Sequence, residues 1–265
     1  MTGDSERVIR LERDGAVASI VLSNPPLNLF TDDAFHQLND CIAEIEGSDA
    51  RAAVWRAEGD IFTGGVDVNA FQRIVDAGPE EASGFSQPLI DTVRRLEELP
   101  IPTLAICHGL CLTAGLEVAL GCDMIWAGES SRFGLVEAVV GLTPGAGGTQ
   151  RMAERAGPAR AREFVMTGGL YDAATLERWN VLNRVLPDDE LQEKGMRFAQ
   201  RLASGPTIAH RETKRIVRAF LRGGIDEADR FTPEVFSGLF ETEDLQGAVR
   251  IFIEEGPGNA EFEGR

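Results

Sequence analysis

Hydrophobic and polar residues alternate near the start of the chain, with the period of two that is typical of β-strands. Segments 7–12 and 16–22 follow this pattern, and Asp14-Gly15 between them is a turn sequence. We therefore predict two strands joined by a tight turn. Further short apolar runs predict buried strands, at 52–56, 103–107 and 124–127.

Between these strands, hydrophobic residues recur every three to four positions, which predicts amphipathic helices. The first begins at Thr31 or Asp32 and ends near Gly47, and the second carries an apolar face from Phe85 to Leu99. This order of strands and helices predicts an α/β core with mostly parallel neighbouring strands. Residues 71–88 are expected to form a loop.

After about residue 150 the pattern becomes helical, and one strand is predicted, at 181–186. The predicted helices are 158–166, 173–179, 188–202, 206–221 and 225–239. A final segment places an apolar stripe on one helix face, which must pack against the domain or a neighbouring subunit. The stripe consists of Leu245, Ala248, Val249, Phe252 and Ile253. The glycine-rich tail, 256–264, is expected to be poorly ordered.

Composition narrows the class of protein. The chain has 265 residues, of which 43% are hydrophobic and 26% charged, as in soluble globular proteins. No run approaches the roughly 18 apolar residues of a membrane span, and the polar start predicts no secretory signal. The formal net charge of −17 argues against nucleic-acid and anionic-membrane partners.

The cysteines and histidines predict neither a disulfide framework nor a metal site. Four cysteines lie in apolar segments without ligand spacing, so we expect buried free thiols and a cytoplasmic location. His36, His108 and His210 also lack metal-ligand spacing.

Two glutamates, Glu117 and Glu137, stand in unusually apolar surroundings. A carboxylate there is costly to ionise unless it is paired, hydrogen-bonded or used in chemistry. Two such groups close in sequence indicate an acid/base pair. Their ordinary alternatives are a helix-dipole partner for Glu117 and a solvated loop residue for Glu137.

Two glycine-bearing turns precede helices and expose backbone N–H groups. The first is Phe62-Thr-Gly-Gly-Val-Asp67, with Asp67 placed to favour the positive end of a helix, and the second leads from Gly109 into a helix near Thr113. Side by side, two such helix starts can direct two donors at one oxygen. Taken alone, each also fits an ordinary strand-to-helix turn.

A third glycine-rich run, residues 144–151, resembles a phosphate loop superficially. It lacks the lysine of the nucleotide-binding pattern and the last glycine of the dinucleotide pattern, so we exclude both. A tight turn leading into a helix capped by Thr149 accounts for it.

These motifs together resemble the enoyl-CoA hydratase/isomerase (crotonase) family over essentially the whole chain. The resemblance is carried by segments 24–28, 62–67, 109–123 and 133–151. It implies a crotonase-like α/β fold of stacked ββα units in a spiral over residues 1–200, followed by a C-terminal helical trimerisation region over 201–265. It implies a homotrimer or a dimer of trimers, with an acyl-CoA thioester as substrate and no separate cofactor.

The resemblance also implies the roles of individual residues. Glu117 and Glu137 match the two catalytic glutamates of the hydratases, and the N–H groups of Val66 and Ala114 match the oxyanion hole. Gly64, Asp67, Val68 and Gly145 match substrate-binding positions. The activity implied is hydration of a 2-enoyl-CoA to a 3-hydroxyacyl-CoA.

The chain also departs from the family pattern. Thr113-Ala114-Gly115 stands where three glycines are common, Leu135-Val136 stands where Gln-Pro is common, and Asn69 replaces a frequent lysine. Sister reactions on acyl-CoA therefore stay open as alternatives, namely isomerisation, hydrolysis and decarboxylation. A non-catalytic acyl-CoA-binding protein is the alternative from another class.

Overall fold

The computed structural model describes residues 7–31 and 33–265. Its main sheet has the strand order β1-β2-β3-β4-β6-β9, and a smaller sheet has the order β5-β7-β8. The strands are β1 Ile9–Asp14, β2 Val17–Leu22, β3 Ala52–Ala57, β4 Thr103–Cys107, β5 Leu110–Leu112, β6 Met124–Gly128, β7 Arg132–Gly134, β8 Tyr171–Asp172 and β9 Arg184–Leu186.

The predicted sheet is confirmed. β1 and β2 pair antiparallel around a tight turn in which Asp14 faces Val17, and every later pair in the main sheet is parallel. The two N-terminal segments predicted as strands thus form a hairpin at one edge of the main sheet. β2 and β4 are buried along their whole length because helices cover both faces of the sheet, as expected for parallel strands.

Helices connect these strands and cover the sheet. They are α1 Ala34–Glu46, α2 Val68–Ala77, α3 Pro79–Glu98, α4 Thr113–Leu120, α5 Gly148–Ala156, α6 Pro158–Thr167, α7 Ala173–Arg178, α8 Asp188–Ala203, α9 Thr207–Leu239 and α10 Glu243–Glu255. One face of the sheet carries the large core, centred on Trp55, Phe62 and Phe133. On the opposite face α8 packs a smaller cluster that includes Leu104, Trp126 and Leu191.

Three local predictions differ from the structure. Residues 71–88, expected as a loop, are largely helical in α2 and α3, which meet at Gly78 with φ of 100°. The strands of the smaller sheet, β5, β7 and β8, were not predicted, because segments of two or three residues carry no readable alternation. α1 follows Asp33, whose side chain makes no cap bond, while the candidate cap Asp32 lies outside the described residues.

Polar contacts attach the C-terminal region to the core. α9 is broken at Gly224, whose backbone is non-helical, which matches the two helices predicted on either side of it. Arg51, the residue directly before β3, donates to Thr207 Oγ1, to the Gly205 carbonyl and to the Phe262 carbonyl at 2.7–2.8 Å. These bonds join the start of α9 and the end of the chain to the sheet.

The tail is more ordered than expected. Its last residues fold back on α10, where the Asp244 carboxylate accepts the N–H groups of Glu263 and Gly264 at 2.7 and 2.9 Å. The Asp244 N–H in turn donates to the Arg265 carbonyl at 2.8 Å. The expectation of a loose tail is therefore wrong at this end, since a buried aspartate anchors it.

Within the residues described, none of the helices combines the length and apolar character needed to cross a membrane. The four cysteines are free and buried, as predicted.

Candidate functional site

A cavity of about 450 Å³ brings most of the predicted site residues together. Both glutamates, Glu117 and Glu137, line it, as do Val66 and Ala114. The wall also includes three of the four predicted substrate-binding positions, Gly64, Val68 and Gly145. Three segments distant in sequence therefore converge on one space.

Asp67 is the exception among the predicted positions. It does not line the cavity, and its carboxylate caps α2 by accepting the Asn69 N–H at 3.0 Å. The sequence had placed this aspartate at a positive helix end, and that part of the prediction is confirmed.

The segment before α2 directs the Val66 N–H away from its neighbouring strand. Phe30 donates its N–H to Gly65 O and accepts the N–H of Asp67, both within 3.0 Å, in a parallel bridge opposite Val66. In such a bridge the intervening residue points its own N–H and C=O to the other side. The Val66 N–H therefore points away from Phe30, and Val66 lines the cavity.

The start of α4 supplies the second N–H group. Ala114 is the second residue of this helix, so its N–H has no acceptor one turn earlier within the helix. Thr113 before it adopts φ of 43°, a left-handed conformation unusual for a β-branched residue. This strained residue turns the chain sharply from β5 into the helix, beside the cavity.

The two turns are packed closely against each other. A Cβ added at Gly65 would lie 2.3 Å from Thr113 Oγ1, and one at Gly115 would lie 2.3 Å from Thr63 Cγ2. Only glycine permits this approach at either position. The Val66 and Ala114 N–H groups consequently belong to one compact wall.

Glu117 is held by the backbone at the start of α5. Its Oε1 accepts the N–H groups of Ala146 and Gly148 at 2.8 and 2.9 Å, and the side chain is 3% exposed. Burial raises the pKa of Glu117, while these two donors and the nearby Arg151 guanidinium act in the opposite direction. The carboxyl group is thus fixed in place, and two N–H dipoles and one guanidinium offset part of the effect of burial on its pKa.

Glu137 sits in a different environment. It begins a short 3-10 helix, Glu137–Val140, and is 8% exposed. Its Oε2 is buried and has no hydrogen-bond partner among the described residues. Burial, with a smaller contribution from the Glu117 charge, raises the pKa of Glu137 to about 7. This carboxyl therefore holds a proton close to neutral pH.

The two carboxyl groups on this cavity thus differ in their hydrogen bonds. Glu117 has two backbone donors, whereas Glu137 Oε2 has no partner among the described residues, and burial raises the pKa of both groups. Carboxyl groups with raised pKa values in one cavity are typical of acid/base sites. The ordinary roles of dipole partner and surface loop residue fit neither position.

The glycine-rich run at 144–151 has a role that the sequence did not reveal. Thr149 does not cap α5: the cap is Gly147, with φ of 98°, and the Thr149 hydroxyl is buried without a partner among the described residues. The run instead supplies the backbone N–H groups that hold Glu117. It is a carboxylate cradle, and the spacing of its glycines was the available signal.

Sequence reasoning also missed two residues that fix this cradle. Arg151, 7% exposed, donates to the Gly147 carbonyl at 3.3 Å and binds Glu97 Oε2 at 2.8 Å. Ser86 on α3 donates to the Gly145 carbonyl at 2.6 Å. Ser86 reaches the cradle from α3, and Arg151 joins α5 to Glu97 on α3. Contacts between segments so distant in sequence cannot be predicted from a local pattern.

No group of three or more His, Cys, Asp or Glu side chains in residues 7–31 and 33–265 is arranged to hold a metal ion. His108, for example, directs Nε2 to the Gly59 carbonyl at 2.9 Å.

Known proteins resemble this chain along nearly all of its length. A short-chain-enoyl-CoA hydratase of Clostridium acetobutylicum is 31% identical over 248 residues, which cover 92% of this chain and 94% of that protein. A crotonyl-CoA hydratase of Syntrophomonas wolfei is 26% identical, with 95% of this chain and 96% of that protein covered.

The fold matches as well. The crystal structure of an enoyl-CoA hydratase from Bacillus anthracis has a TM-score of 0.89 and 25% identity, and covers 97% of this chain and 100% of that one. The sequence model of the enoyl-CoA hydratase/isomerase family matches residues 12–265, including every segment that lines the cavity. With the crotonase-like fold and the family match extending over the same residues, this chain belongs to the enoyl-CoA hydratase/isomerase family.

Proposed function

We propose that the protein is an enoyl-CoA hydratase, which adds water across the 2,3 double bond of a 2-enoyl-CoA to give a 3-hydroxyacyl-CoA. The observation that carries this proposal is the pair of buried glutamates on one cavity, beside the backbone of Val66 and Ala114. Relatives named as hydratases support it.

Each step of the reaction has a suitable group. Glu117, held by two backbone N–H groups, accepts a proton from water as the water oxygen bonds to C3 of the substrate. The electron pair of the double bond then moves toward the thioester, and charge builds on its oxygen as an enolate. Glu137, with a pKa of about 7, gives its proton to C2. No redox partner or cofactor is required, since coenzyme A is part of the substrate.

The N–H groups of Val66 and Ala114 serve as the oxyanion hole in this proposal. Donors aimed at an oxygen where charge develops lower the barrier more than they stabilise the ground state. Removal of one such donor typically costs about 10²–10³-fold in rate. Gly64, Val68 and Gly145 line the same cavity and are proposed to contact the substrate. Asp67 contributes through the helix that it caps.

The two departures on the cavity wall are compatible with hydration. Ala114 adds a methyl group next to its donor, and Val136 lies beside Glu137, yet a cavity of about 450 Å³ remains. Both carboxyl groups line that space. A reaction that uses two carboxyl groups accounts for both, whereas a one-carboxylate isomerisation leaves one without a role.

We further propose that residues 1–200 form the catalytic core and that 201–265 pack against neighbouring subunits in a homotrimer or a dimer of trimers. Support comes from large apolar side chains that a single chain leaves exposed on α9, on α10 and between them: Phe220, Ile225, Phe236, Phe240, Val249, Phe252 and Ile253. The stripe predicted on α10 lines an apolar groove of about 360 Å³ there. The free cysteines fit a cytoplasmic location.

Loss of the conjugated-thioester absorbance of crotonyl-CoA tests the activity. We expect hydration by the parent and losses of about 10²-fold or more in Glu117→Gln and Glu137→Gln. Glu163→Gln, at an exposed glutamate of α6, is the matched control and should retain parental activity. Parental rates in both cavity variants, or no hydration of crotonyl-CoA or longer enoyl-CoAs, would rule the proposal out.

A further inference from the structure

Thr113, on the wall of the cavity, carries two energetic costs that glycine would avoid. Its backbone is left-handed, with φ of 43°, which is unfavourable for a β-branched residue. Its hydroxyl oxygen, Oγ1, is buried and has no hydrogen-bond partner among the described residues. A strained backbone and an unpartnered buried hydroxyl at one residue of a cavity indicate a functional constraint rather than a requirement of folding.

The Thr113 side chain packs between the two turns. It occupies the space into which a side chain at Gly65 would point: a Cβ there would lie 2.3 Å from Thr113 Oγ1 and 3.4 Å from its Cβ and Cγ2. Gly65 directly precedes Val66 in the chain. Thr113 likewise directly precedes Ala114. One side chain thus connects the neighbours of the two N–H groups proposed for the oxyanion hole.

Backbone hydrogen bonds fix the base of the first turn. Thr63 donates its N–H to the Leu110 carbonyl at 2.9 Å and accepts the Leu112 N–H at 3.1 Å, so the two segments are paired up to Leu112. The Gly65 N–H donates to Thr63 Oγ1 at 2.9 Å. One position further along, the Thr113 side chain contacts Gly65, and glycine has the conformational freedom to shift if that contact is removed.

We propose that Thr113 is a positioning residue of the oxyanion hole, whose side chain sets the separation of the Val66 and Ala114 N–H groups. The thioester oxygen must accept from both donors as charge develops on it, so their separation affects the transition state more than the bound substrate. This inference rests on the proposed function for the role of these N–H groups. It assigns a role to a side chain that stands where glycine is common in the family.

Kinetics of crotonyl-CoA hydration are the first test. Thr113→Gly should lower kcat by about 10–10²-fold and leave KM within about twofold of the parental value, because the loss falls on the transition state. Thr113→Ser keeps an oxygen against Gly65 and should stay within about threefold of the parental kcat. Asn180→Gly, at an exposed left-handed residue with φ of 63° that does not line the cavity, is the matched control and should keep the parental kcat. A parental kcat in Thr113→Gly would contradict the proposal.

Stability separates positioning from folding. Thr113→Gly relieves the left-handed strain and removes the unpartnered hydroxyl, so its urea midpoint should lie at or above the parental value although its rate is lower. A lower midpoint together with a lower kcat would make Thr113 a residue needed for folding and would overturn the proposal.

Infrared spectra of bound butyryl-CoA, isotopically labelled at the thioester carbonyl carbon, test the positioning without turnover. Hydrogen bonds from the two N–H groups polarise this carbonyl and lower its stretching frequency. The frequency should therefore be lower in the parent and in Thr113→Ser than in Thr113→Gly. If the parent does not hydrate crotonyl-CoA, the proposed function fails, while this difference remains measurable. Equal frequencies in the parent and Thr113→Gly would refute the role of Thr113.

Discussion

Replacing Glu137 by glutamine should stabilise the fold at alkaline pH, although it removes activity. The pKa of this buried carboxyl rises from 4.5 to about 7 on folding, mainly through burial. A group whose pKa is higher in the folded state contributes stability at low pH, and that contribution is lost as the pH rises through the folded value. The parent should therefore lose stability between about pH 4.5 and pH 7, whereas glutamine does not titrate.

The expected change in the free energy of unfolding follows from the pKa shift of Glu137. The full rise corresponds to about 3.5 kcal/mol, at about 1.4 kcal/mol per pH unit. Water in the cavity screens part of this, and measurement from about pH 5.5 upward samples only part of the window, so we expect about 1.5 kcal/mol. The advantage of Glu137→Gln over the parent in free energy of unfolding should grow by this amount between about pH 5.5 and pH 8.5.

Urea denaturation at fixed protein concentration measures this difference, because any oligomer makes apparent stability depend on concentration. Using the change with pH cancels whatever the glutamine costs or gains through packing alone. Glu163→Gln, at an exposed glutamate, should show no such change with pH. If the advantage of Glu137→Gln is the same at both pH values, the unpartnered carboxyl does not carry a raised pKa and the assignment of Glu137 as the acid fails.

Three further outcomes are expected. The kcat/KM for crotonyl-CoA hydration should fall above about pH 7, by about tenfold per pH unit, because Glu137 must hold a proton; a flat profile to pH 9 would contradict this. Gly148→Ala places a Cβ 2.8 Å from Glu117 Cγ and should cost about 1–3 kcal/mol of stability with a loss of activity, whereas Gly247→Ala, in open space, should have neither effect in the same assays. Arg151→Gln removes a charge that favours ionised Glu117, so the acidic limb of the kcat/KM profile should move to higher pH, while Arg151→Lys should keep it near the parental position.

The strands and most helices could be predicted because their patterns are local. β2 and β4 are buried runs flanked by turn residues, and α1 shows its core face every three to four positions. α2 was missed because its apolar residues, such as Val68 and Val75, are exposed in the single chain and give no clear core face. Gly78-Pro79 between α2 and α3 added a strong turn signal inside a largely helical region.

The candidate site was predictable only where it depends on side-chain type. Glu117 and Glu137 stood out as charges among apolar residues, and both lie on the cavity. The cradle at Ala146 and Gly148 did not, because it acts through backbone N–H groups whose direction depends on the turn around Gly147. The raised pKa of Glu137 likewise depends on what is absent around Oε2, which only the packed chain defines.

One helix, α4, carries both the Ala114 N–H and the Glu117 carboxyl, and the backbone ahead of α5 clamps that carboxyl. A substitution that tilts α4 therefore displaces the Ala114 N–H, proposed for the oxyanion hole, and the Glu117 carboxyl, proposed to accept the proton, together. α2 contributes Val68 and Ile74 to the cavity wall, whereas α3 also holds the clamp, through Ser86 to the Gly145 carbonyl and through Glu97 to Arg151. We therefore expect substrate range to diverge mainly through α2, while α4 and its clamp tolerate few substitutions. The part of the fold that sets substrate range is thus distinct from the helix that carries the Ala114 N–H and the Glu117 carboxyl.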